Sequence, residues 1–459
     1  MMKVLLINPP WRIKPKSLWS EISGVFPPLG LGYIASLLRA NRISVEILDL
    51  NALQKPPETL WDFLKDRSYQ WIGITATTNL IPSAKKLAQI AKASIPTAKI
   101  IMGGIHPSTL PEEILSWQEV DFVVRGEGEL TALELIQGKA EETIKGLSYK
   151  KDGNIIHNPD REFIPNLDTL AFPAWDLLPI KNYMPTLGGY KKLPAVSLIT
   201  SRGCSGACSY CNNFFGRKVR KRSPENVVQE LEMLVKDYGI KEIYFYDDSF
   251  TEQPSKVIEL CKQMVKANLN LSWSCFAQIN IINQDLLRAM KQAGCHHIAY
   301  GIESGNQEIL ARINKKVQKE KIQEIIALTK KEKIDLLLGF MLGLPGETKE
   351  TLQETLNFAL ELDPDLAIFN ITTPFPGTEL FRWAEKNGYL KIKTWEDYDL
   401  YTVVMNLPSI TEQEILNFYA KAHRNFYLRP KYLLRRFFKV RSWLDFKQNL
   451  QAFLIIVRM

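Results

Sequence analysis

Short apolar runs alternating with amphipathic stretches dominate the first third of the chain. "KVLLINPP" (3–10), "SVEILDL" (44–50), "WIGITATT" (71–78), "KIIMGG" (99–104) and "DFVVRGEGE" (121–129) have the length and β-branched content of strands. Between them, "LGYIASLLRA" (31–40), "PSAKKLAQIAKA" (82–93) and "PEEILSW" (111–117) carry helical spacing. This alternation predicts a parallel sheet covered by helices. Ligands of such sheets bind beyond the carboxyl ends of the strands. Here those ends carry Asn8-Pro9-Pro10, Thr75-Ala76-Thr77, Gly103-Gly104 and Arg125-Gly126-Glu127-Gly128. Residues 1–140 are expected to be a ligand-binding domain.

Residues 141–193 are rich in Pro, Gly, Asn and Asp, and "KKDGNII" reads as a hairpin turn, so this stretch is expected to be a connector. A second βα series follows over 194–390. Its strand candidates are "AVSLITS", "EIYFYDD", "LSWSCFA", "HIAYGIES", "DLLLGFMLG" and "LAIFNITTP". The first helix between them opens at "SPENVVQELEMLV", with Ser223 as N-cap and Pro224 at the first helical position. Six βα units imply an open, partial TIM-like barrel with its site at the carboxyl ends of the strands. Residues 391–459 are expected to be helical.

Composition narrows the class. The chain has 459 residues, 46% of them hydrophobic and 24% charged, enough for several domains with proper cores. The apolar run Val4–Ile7 is too short for a secretory signal, and no run reaches the roughly 20 apolar residues of a membrane span. Six cysteines without a signal point to a reducing cytoplasm, where clustered cysteines do metal or redox work.

Three of the six, Cys204, Cys208 and Cys211, lie in "SRGCSGACSYCNN" (201–213), directly after the first strand of the second series. Structural zinc needs four closed ligands, and no second Cys or His pair follows. Three thiolates can instead hold a four-iron four-sulfur (4Fe-4S) cluster at three irons and leave the fourth open to an exogenous ligand. Gly203 and Gly206 would let the loop wrap closely. Cys261, Cys275 and Cys295 are spaced as core residues, and His296-His297 as packing or hydrogen-bonding residues.

The Cys-x3-Cys-x2-Cys run, with aromatic Tyr210 before the last cysteine, resembles the radical S-adenosylmethionine (SAM) enzymes. That resemblance implies that SAM chelates the open iron through its amino and carboxylate groups and is cleaved reductively to a 5'-deoxyadenosyl radical. "YDDSF" places Asp247 and Asp248 where the family binds the methionine amino group, and "GIESG" places Glu303 after the fourth strand. "GFMLGLPGE", with Gly339 and Gly343, resembles the adenosyl-contact strand, and "NITTPFPGTEL" the sixth. In residue terms alone, Asp247 and Asp248 could equally cap a helix, and Glu303 could pair with a buried base.

The first domain, through "FPPLGLGYIASLL", "GGIHPSTLPEE" and "RGEGE", resembles the cobalamin-binding branch of that superfamily. The implied fold is α/β: a Rossmann-like cobalamin-binding domain, a partial (β/α)6 radical SAM barrel, and a helical C-terminal region. Asn8, Pro9, Thr75, Thr77, Gly103, Gly104, His106, Gly126 and Glu127 are the implied cobalamin contacts. "NPPWRIKPKS" has no histidine where related modules place their lower cobalt ligand, so that ligation is expected to be missing. His106 is expected to hydrogen-bond near the cofactor.

The resemblance implies a radical enzyme methylating an unactivated carbon, with an electron donor such as flavodoxin or ferredoxin and a small-molecule or lipid-like substrate. Its rival within the superfamily is oxidative ring formation of the protoporphyrin ester cyclase type. An RNA methylthiotransferase would be expected to carry three more N-terminal cysteines, and residues 1–203 contain none. A non-catalytic membrane- or nucleic-acid-binding protein would leave the cysteine triplet unexplained, so no nucleic-acid partner is expected.

Charge adds one further feature. Of the formal net +8, residues 426–459 carry +7. "LRPKYLLRRFFKVRSWLDF" (428–446) reads as a basic amphipathic helix with Leu433, Phe437 and Leu444 on one side. It suits either a membrane surface, making the protein peripheral to a membrane, or a helix packed across the barrel mouth. The run "GRKVRKR" (216–222) could grip an anion or form a solvated face.

Overall fold

The computed structural model describes residues 2–11, 23–186, 188–391, 394–440 and 443–459, without the side chains of 444 and 445. They form two units. Of the described residues, those within 2–11, 25–183 and 394–396 make up one unit, and those within 23–24, 184–391 and 397–459 the other.

In the first unit, β1 (Lys3–Asn8), β2 (Ser44–Asp49), β3 (Trp71–Thr75), β4 (Lys99–Gly103) and β5 (Phe122–Val124) pair in parallel in the order β2-β1-β3-β4-β5. The apolar runs are continuous because both faces of the sheet are buried. Leu5, Ile7, Ile72 and Ile100 enter one core, while Val4, Leu6, Val45 and Phe122 enter the other, alternating along the strands. Helices α1 (Leu29–Ala40), α2 (Ile81–Ser94) and α3 (Gly128–Ile136) supply the cover. The stretch expected to be a connector does more than connect. Its β6 (Leu147–Lys151) and β7 (Asn154–His157) extend the sheet antiparallel, because Leu147 and Tyr149 reach the core. Chain order reverses between β1 and β3, opening a crevice at their carboxyl ends.

The second unit holds β8 (Ala195–Leu198), a two-strand ribbon of β9 (Ser201–Arg202) and β10 (Arg220–Lys221), then β11 (Glu242–Phe245), β12 (Ser272–Ala277), β13 (Cys295–Glu303), β14 (Asp335–Leu342) and β15 (Leu366–Ile371). β8, β11, β12, β13, β14 and β15 form one parallel sheet in that order. Helices α4 (Pro224–Tyr238), α5 (Pro254–Lys266), α6 (Gln284–Gln292), α7 (Lys319–Lys331), α8 (Lys349–Leu362) and α9 (Glu379–Lys386) connect and extend the strands. Leu336, Leu338, Phe340 and Leu342 of β14 are completely buried, while Leu337, Gly339 and Met341 alternate with them on the less buried face. The start of α4 is as the sequence predicts. Ser223 accepts the amide hydrogen of Asn226, a cap worth about 1 kcal/mol, and Gly239 ends the helix at φ +64°.

The amino ends of the strands are closed by buried polar groups. Glu242 accepts from the amides of Lys191 and Lys192 and from Ser272 Oγ, and pairs with His296 at 2.8 Å. Burial pushes its pKa up, but His296 and the two amides more than offset that and leave it lowered. Cys261, Cys275 and Cys295 are buried thiols.

The C-terminal helices are α10 (Glu412–Tyr427), opened by a Thr411/Glu414 capping box, α11 (Pro430–Phe437) and α12 (Trp443–Arg458). The expected single helix over 428–446 is therefore two helices, with residues 441 and 442 and the Leu444 side chain outside the described residues. Of the two settings expected for this basic segment, packing on the barrel is seen for α11, and it lies at the amino ends of β14 and β15. Arg429 and Arg435 pair with Asp363 at 3.0 and 3.2 Å, and Lys439 bridges Asp335 and Asp365 at 2.8 and 2.7 Å. Three carboxylates at one end of the barrel draw the basic side chains inward. Leu434, Phe437 and Phe438 are left outward, 62%, 66% and 77% exposed. No helix among the described residues is long and apolar enough to cross a membrane.

Burial holds two histidines neutral, lowering His297 and His423 from 6.5 to about 4. Below pH about 6.5 the unfolded chain binds these protons and the folded chain does not. Stability is therefore full above 6.5 and falls towards pH 4, by up to about 1.4 kcal/mol per pH unit for each residue. Denaturant melts from pH 7.5 to 4.5 should show this loss, and His423→Phe should flatten it; an unchanged slope would contradict the assignment.

Candidate active site

The cysteine loop leaves the carboxyl end of β8 through the β9–β10 ribbon. Gly203 has φ +97°, and a Cβ there would lie 2.7 Å from the Lys218 carbonyl oxygen, so only glycine fits this exit. The loop is held by three bonds to two later segments. Ser209 N donates to Ile313 O at 3.0 Å, Asn314 Nδ2 to Ala207 O at 2.8 Å, and Leu380 N to Ser209 O at 2.8 Å.

Each candidate around the loop has a defined place. Asp247 is buried and accepts from Thr200 N at 2.6 Å, from Ser201 Oγ at 2.7 Å and from Thr200 Oγ1, so both carboxylate oxygens serve the exit of β8. Asp248 alternates with it, is exposed, and accepts from Gly203 N at 3.2 Å. Glu303 sits at φ +72° beside a register shift between β13 and β14. It accepts from Tyr210 Oη at 2.8 Å and pairs with Lys315 at 3.2 Å. A Cβ on Gly301 would lie 2.3 Å from Glu303 Oε1, so that glycine leaves the room the carboxylate occupies. A Cβ on Gly339 would meet only the Tyr300 carbonyl oxygen at 3.9 Å and Gly301 Cα at 4.0 Å, ordinary contacts without a clash. Gly343 turns the chain at φ +83°, its amide bonded to buried Glu347, whose carboxyl group burial pushes up to about 8.

The donor set fits an iron-sulfur cluster. Gly206 N and Gln278 Nε2 donate to Cys204 Sγ at 3.4 and 3.2 Å, the type of hydrogen bond that tunes cluster sulfurs. Desolvation in the loop, then the nearby Cys208 and Cys204, push the Cys211 thiol up to about 11, although the residue's outer edge is exposed. Three thiolates this close require positive charge among them, which iron provides. No group of three His, Cys, Asp or Glu among the described residues converges on a single ion. A cubane differs in that each thiolate binds a separate iron.

Sequence reasoning missed Gln278, Lys315 and Glu252. Glu252 accepts from Ser205 Oγ at 2.5 Å and Gln278 Nε2 at 2.9 Å. Gln278 follows β12, and that strand-end position was the one available signal. Lys315 had none. The run 216–222 divides: Arg217 and Lys218 are exposed, but Arg220 is buried and Arg222 is buried against Glu230.

In the first unit, Thr75, Gly103 and Gly126 lie at neighbouring strand ends. Gly126 (φ +73°) has nothing within 4 Å of a Cβ, and Gly103 only the Val124 carbonyl oxygen at 3.6 Å, so both leave backbone open to a bulky ligand. Gly104 is needed for a different reason. At φ +100°, its Cβ would strike Ala76 O at 2.7 Å. Thr77 is exposed and donates to Asn79. Other candidates are occupied within the unit. Asn8 donates to Asp49 at 2.8 Å, buried Pro9 follows it, and Glu127 accepts from Ile164 N at 2.6 Å. His106 is buried, with Nδ1 3.2 Å from Thr78 Oγ1, Nε2 3.5 Å from Glu113 and its ring edge-on to Trp395. The 3.5 Å contact is an electrostatic pairing rather than an aligned hydrogen bond, since Nε2 has no hydrogen-bond partner. Of "NPPWRIKPKS", residues 12–17 lie outside the described residues.

Residues 198–359 match the Radical SAM superfamily and residues 15–136 the B12 binding domain. An uncharacterized methyltransferase of Pyrococcus horikoshii is 36% identical, over 96% of this chain and 95% of its own. The anaerobic magnesium-protoporphyrin IX monomethyl ester cyclase of Rubrivivax gelatinosus is 30% identical, over 95% of this chain and 80% of its own. The solved radical S-adenosylmethionine methyltransferase TsrM of Kitasatospora setae, with cobalamin and an iron-sulfur cluster bound, superposes with a TM-score of 0.74. That match covers 100% of this chain and 99% of TsrM at 18% identity, a likeness of fold.

Alanine at Cys204, Cys208 or Cys211 should abolish both iron loading and deoxyadenosine formation in anaerobically reconstituted protein. Cys261→Ala should keep its iron while losing about 1 kcal/mol of stability from a buried core position. Iron assay and denaturant melts check both, and a Cys208→Ala protein with full iron would refute the ligand set.

Proposed function

Because this chain belongs to the cobalamin-binding radical SAM family, we propose that it transfers a methyl group to an unactivated carbon of its substrate. As a cobalamin-dependent radical SAM enzyme, it uses a 4Fe-4S cluster, SAM and cobalamin. The near end-to-end match to a relative named as a methyltransferase carries the reading towards methyl transfer.

When bound, these groups supply an adenosyl radical that takes a substrate hydrogen and a methyl group that replaces it. The chain's own residues bind and position. Cys204, Cys208 and Cys211 hold three irons. Gln278 and the Gly206 amide stabilise charge on Cys204. Asp248, exposed on the loop, is the carboxylate free to face the methionine amino group, whereas Asp247 secures the strand exit. Lys315 and Tyr210 fix Glu303 beside the loop. Gly339 leaves room on the inner face of β14 for the adenosyl group. In the first unit, Thr75, Thr77, Gly103 and Gly126 would border cobalamin, and His106 stays in its own network instead of binding cobalt. Electrons would come from a flavodoxin- or ferredoxin-type donor.

The cyclase relative favours a second reading, oxidative ring formation, which adds no methyl group. SAM labelled in its methyl group, incubated anaerobically with cell extract, distinguishes the two. Methyl transfer yields a product carrying the labelled methyl, formed in step with deoxyadenosine; an unlabelled, dehydrogenated product would replace this reading with ring formation.

Cobalamin in its cob(II) form should bind without nitrogen hyperfine splitting from a protein ligand. His106→Ala should leave that spectrum unchanged, and clear nitrogen splitting lost in His106→Ala would reverse the assignment.

A further inference from the structure

We propose that the second unit binds a substrate bearing a long apolar chain, taken up from a lipid surface through a mouth between α11 and α12. This rests on reading the barrel's inner face as the place of reaction, and it adds the class of substrate.

A cavity of about 250 Å³ lies between the inner faces of β14 and β15 and the two C-terminal helices. This is below the roughly 300–1,000 Å³ of small-molecule pockets, a size for part of a molecule such as a chain. Leu337, Leu366 and Ile368 form its floor, while Phe437, Leu450 and Phe453 form its outer wall. Leu337 precedes Gly339 by two residues on the same face of β14, so the cavity floor and that glycine share one face of the strand. Three of its polar side chains bond to protein: Arg436 Nε donates to Asn449 Oδ1 at 2.7 Å, Tyr427 Oη to Ala367 O at 2.7 Å and Tyr432 Oη to Asp365 O at 3.1 Å, and most of the other lining residues are apolar. A polar substrate would find little to bond there, whereas methylene groups lose nothing by entering.

The outer wall is also surface. Phe437 is 66% exposed and Leu450 46%, and both line the cavity. Leu434, Phe438, Trp443, Leu454 and Val457, on or next to the same two helices, are exposed as well. An apolar patch of this kind marks a contact with another apolar phase. Exposed Lys447 and Arg458 stand on α12 with these residues, and Lys431, 3.5 Å from Asp363, is exposed on α11, the composition of helices that lie in a lipid interface. Since Arg429, Arg435 and Lys439 are paired inward, the aromatic side chains supply most of the attraction.

Chain binding is measurable without turnover. Full-length, anaerobically reconstituted protein is titrated with the fluorescent fatty acid cis-parinaric acid and floated with phosphatidylcholine vesicles, with and without phosphatidylglycerol. Saturable parinarate binding is expected, weakened about tenfold or more by Ile368→Trp, which fills the floor. Leu450→Trp at the exposed mouth should act in the same direction and does not depend on core packing. Flotation is expected with neutral vesicles, increased by phosphatidylglycerol only at low salt, and lost in Phe437→Ser/Phe438→Ser. Absence of saturable binding, binding that neither tryptophan weakens, or a stable dimer abolished by Phe437→Ser/Phe438→Ser in place of vesicle binding would overturn the proposal. Because none of these readouts needs SAM cleavage, labelled-methyl transfer to a product without an apolar chain would sink the chain proposal and leave the methyl-transfer reading standing. Parinarate binding without methyl transfer would do the reverse.

Discussion

Three thiolates within one loop repel one another, and much of the barrel's carboxyl end is organised by keeping them together but apart. Gly203 gives the exit a conformation no other residue fits, and Asp247 uses both carboxylate oxygens to fasten the end of β8. The loop is then tied down by Ile313, Asn314 and Leu380, which come from after β13 and from α9. Rigid placement by packed elements, rather than by the loop itself, is what lets three flexible side chains present a fixed donor set.

The two ends of the barrel handle charge in opposite ways. At the carboxyl end, carboxylates and thiols gather, with the Lys315 ammonium beside Glu303. At the amino end, charges are paired off. Glu242 is matched by His296 and two amides, and Asp335, Asp363 and Asp365 by the basic residues of the tail. Unpaired buried charge is costly, so the neutralised end can be sealed while the other keeps the groups that must meet cofactors.

That neutralisation has a consequence for the surface. A tail read from its composition as a basic face turns Arg429 and Arg435 towards the barrel and the rings of Phe437 and Phe438 outward. Three of the residues that give residues 426–459 their net +7 charge, Arg429, Arg435 and Lys439, act as internal anchors. Apolar exposure is the property that distinguishes this end of the chain.

Much of the fold was legible locally. Periodic apolar runs specify the strands, Ser223-Pro224 and Gly239 delimit α4, and the spacing of Cys204, Cys208 and Cys211 names the chemistry, because each signal is carried by neighbouring residues. Position alone left Asp247 and Asp248 equivalent; the strand exit made one a fastener and left the other exposed. Likewise, nothing near Lys315 announces its pairing with Glu303. The decisive contacts join residues 47, 93 and 107 positions apart: Thr200 with Asp247, Tyr210 with Glu303, and Ala207 with Asn314. Such pairs exist only once the strands have taken their order in the sheet. The direction in which α11 faces was likewise decided by three aspartates on the barrel, because an amphipathic helix encodes two faces but not which of them its surroundings will bury.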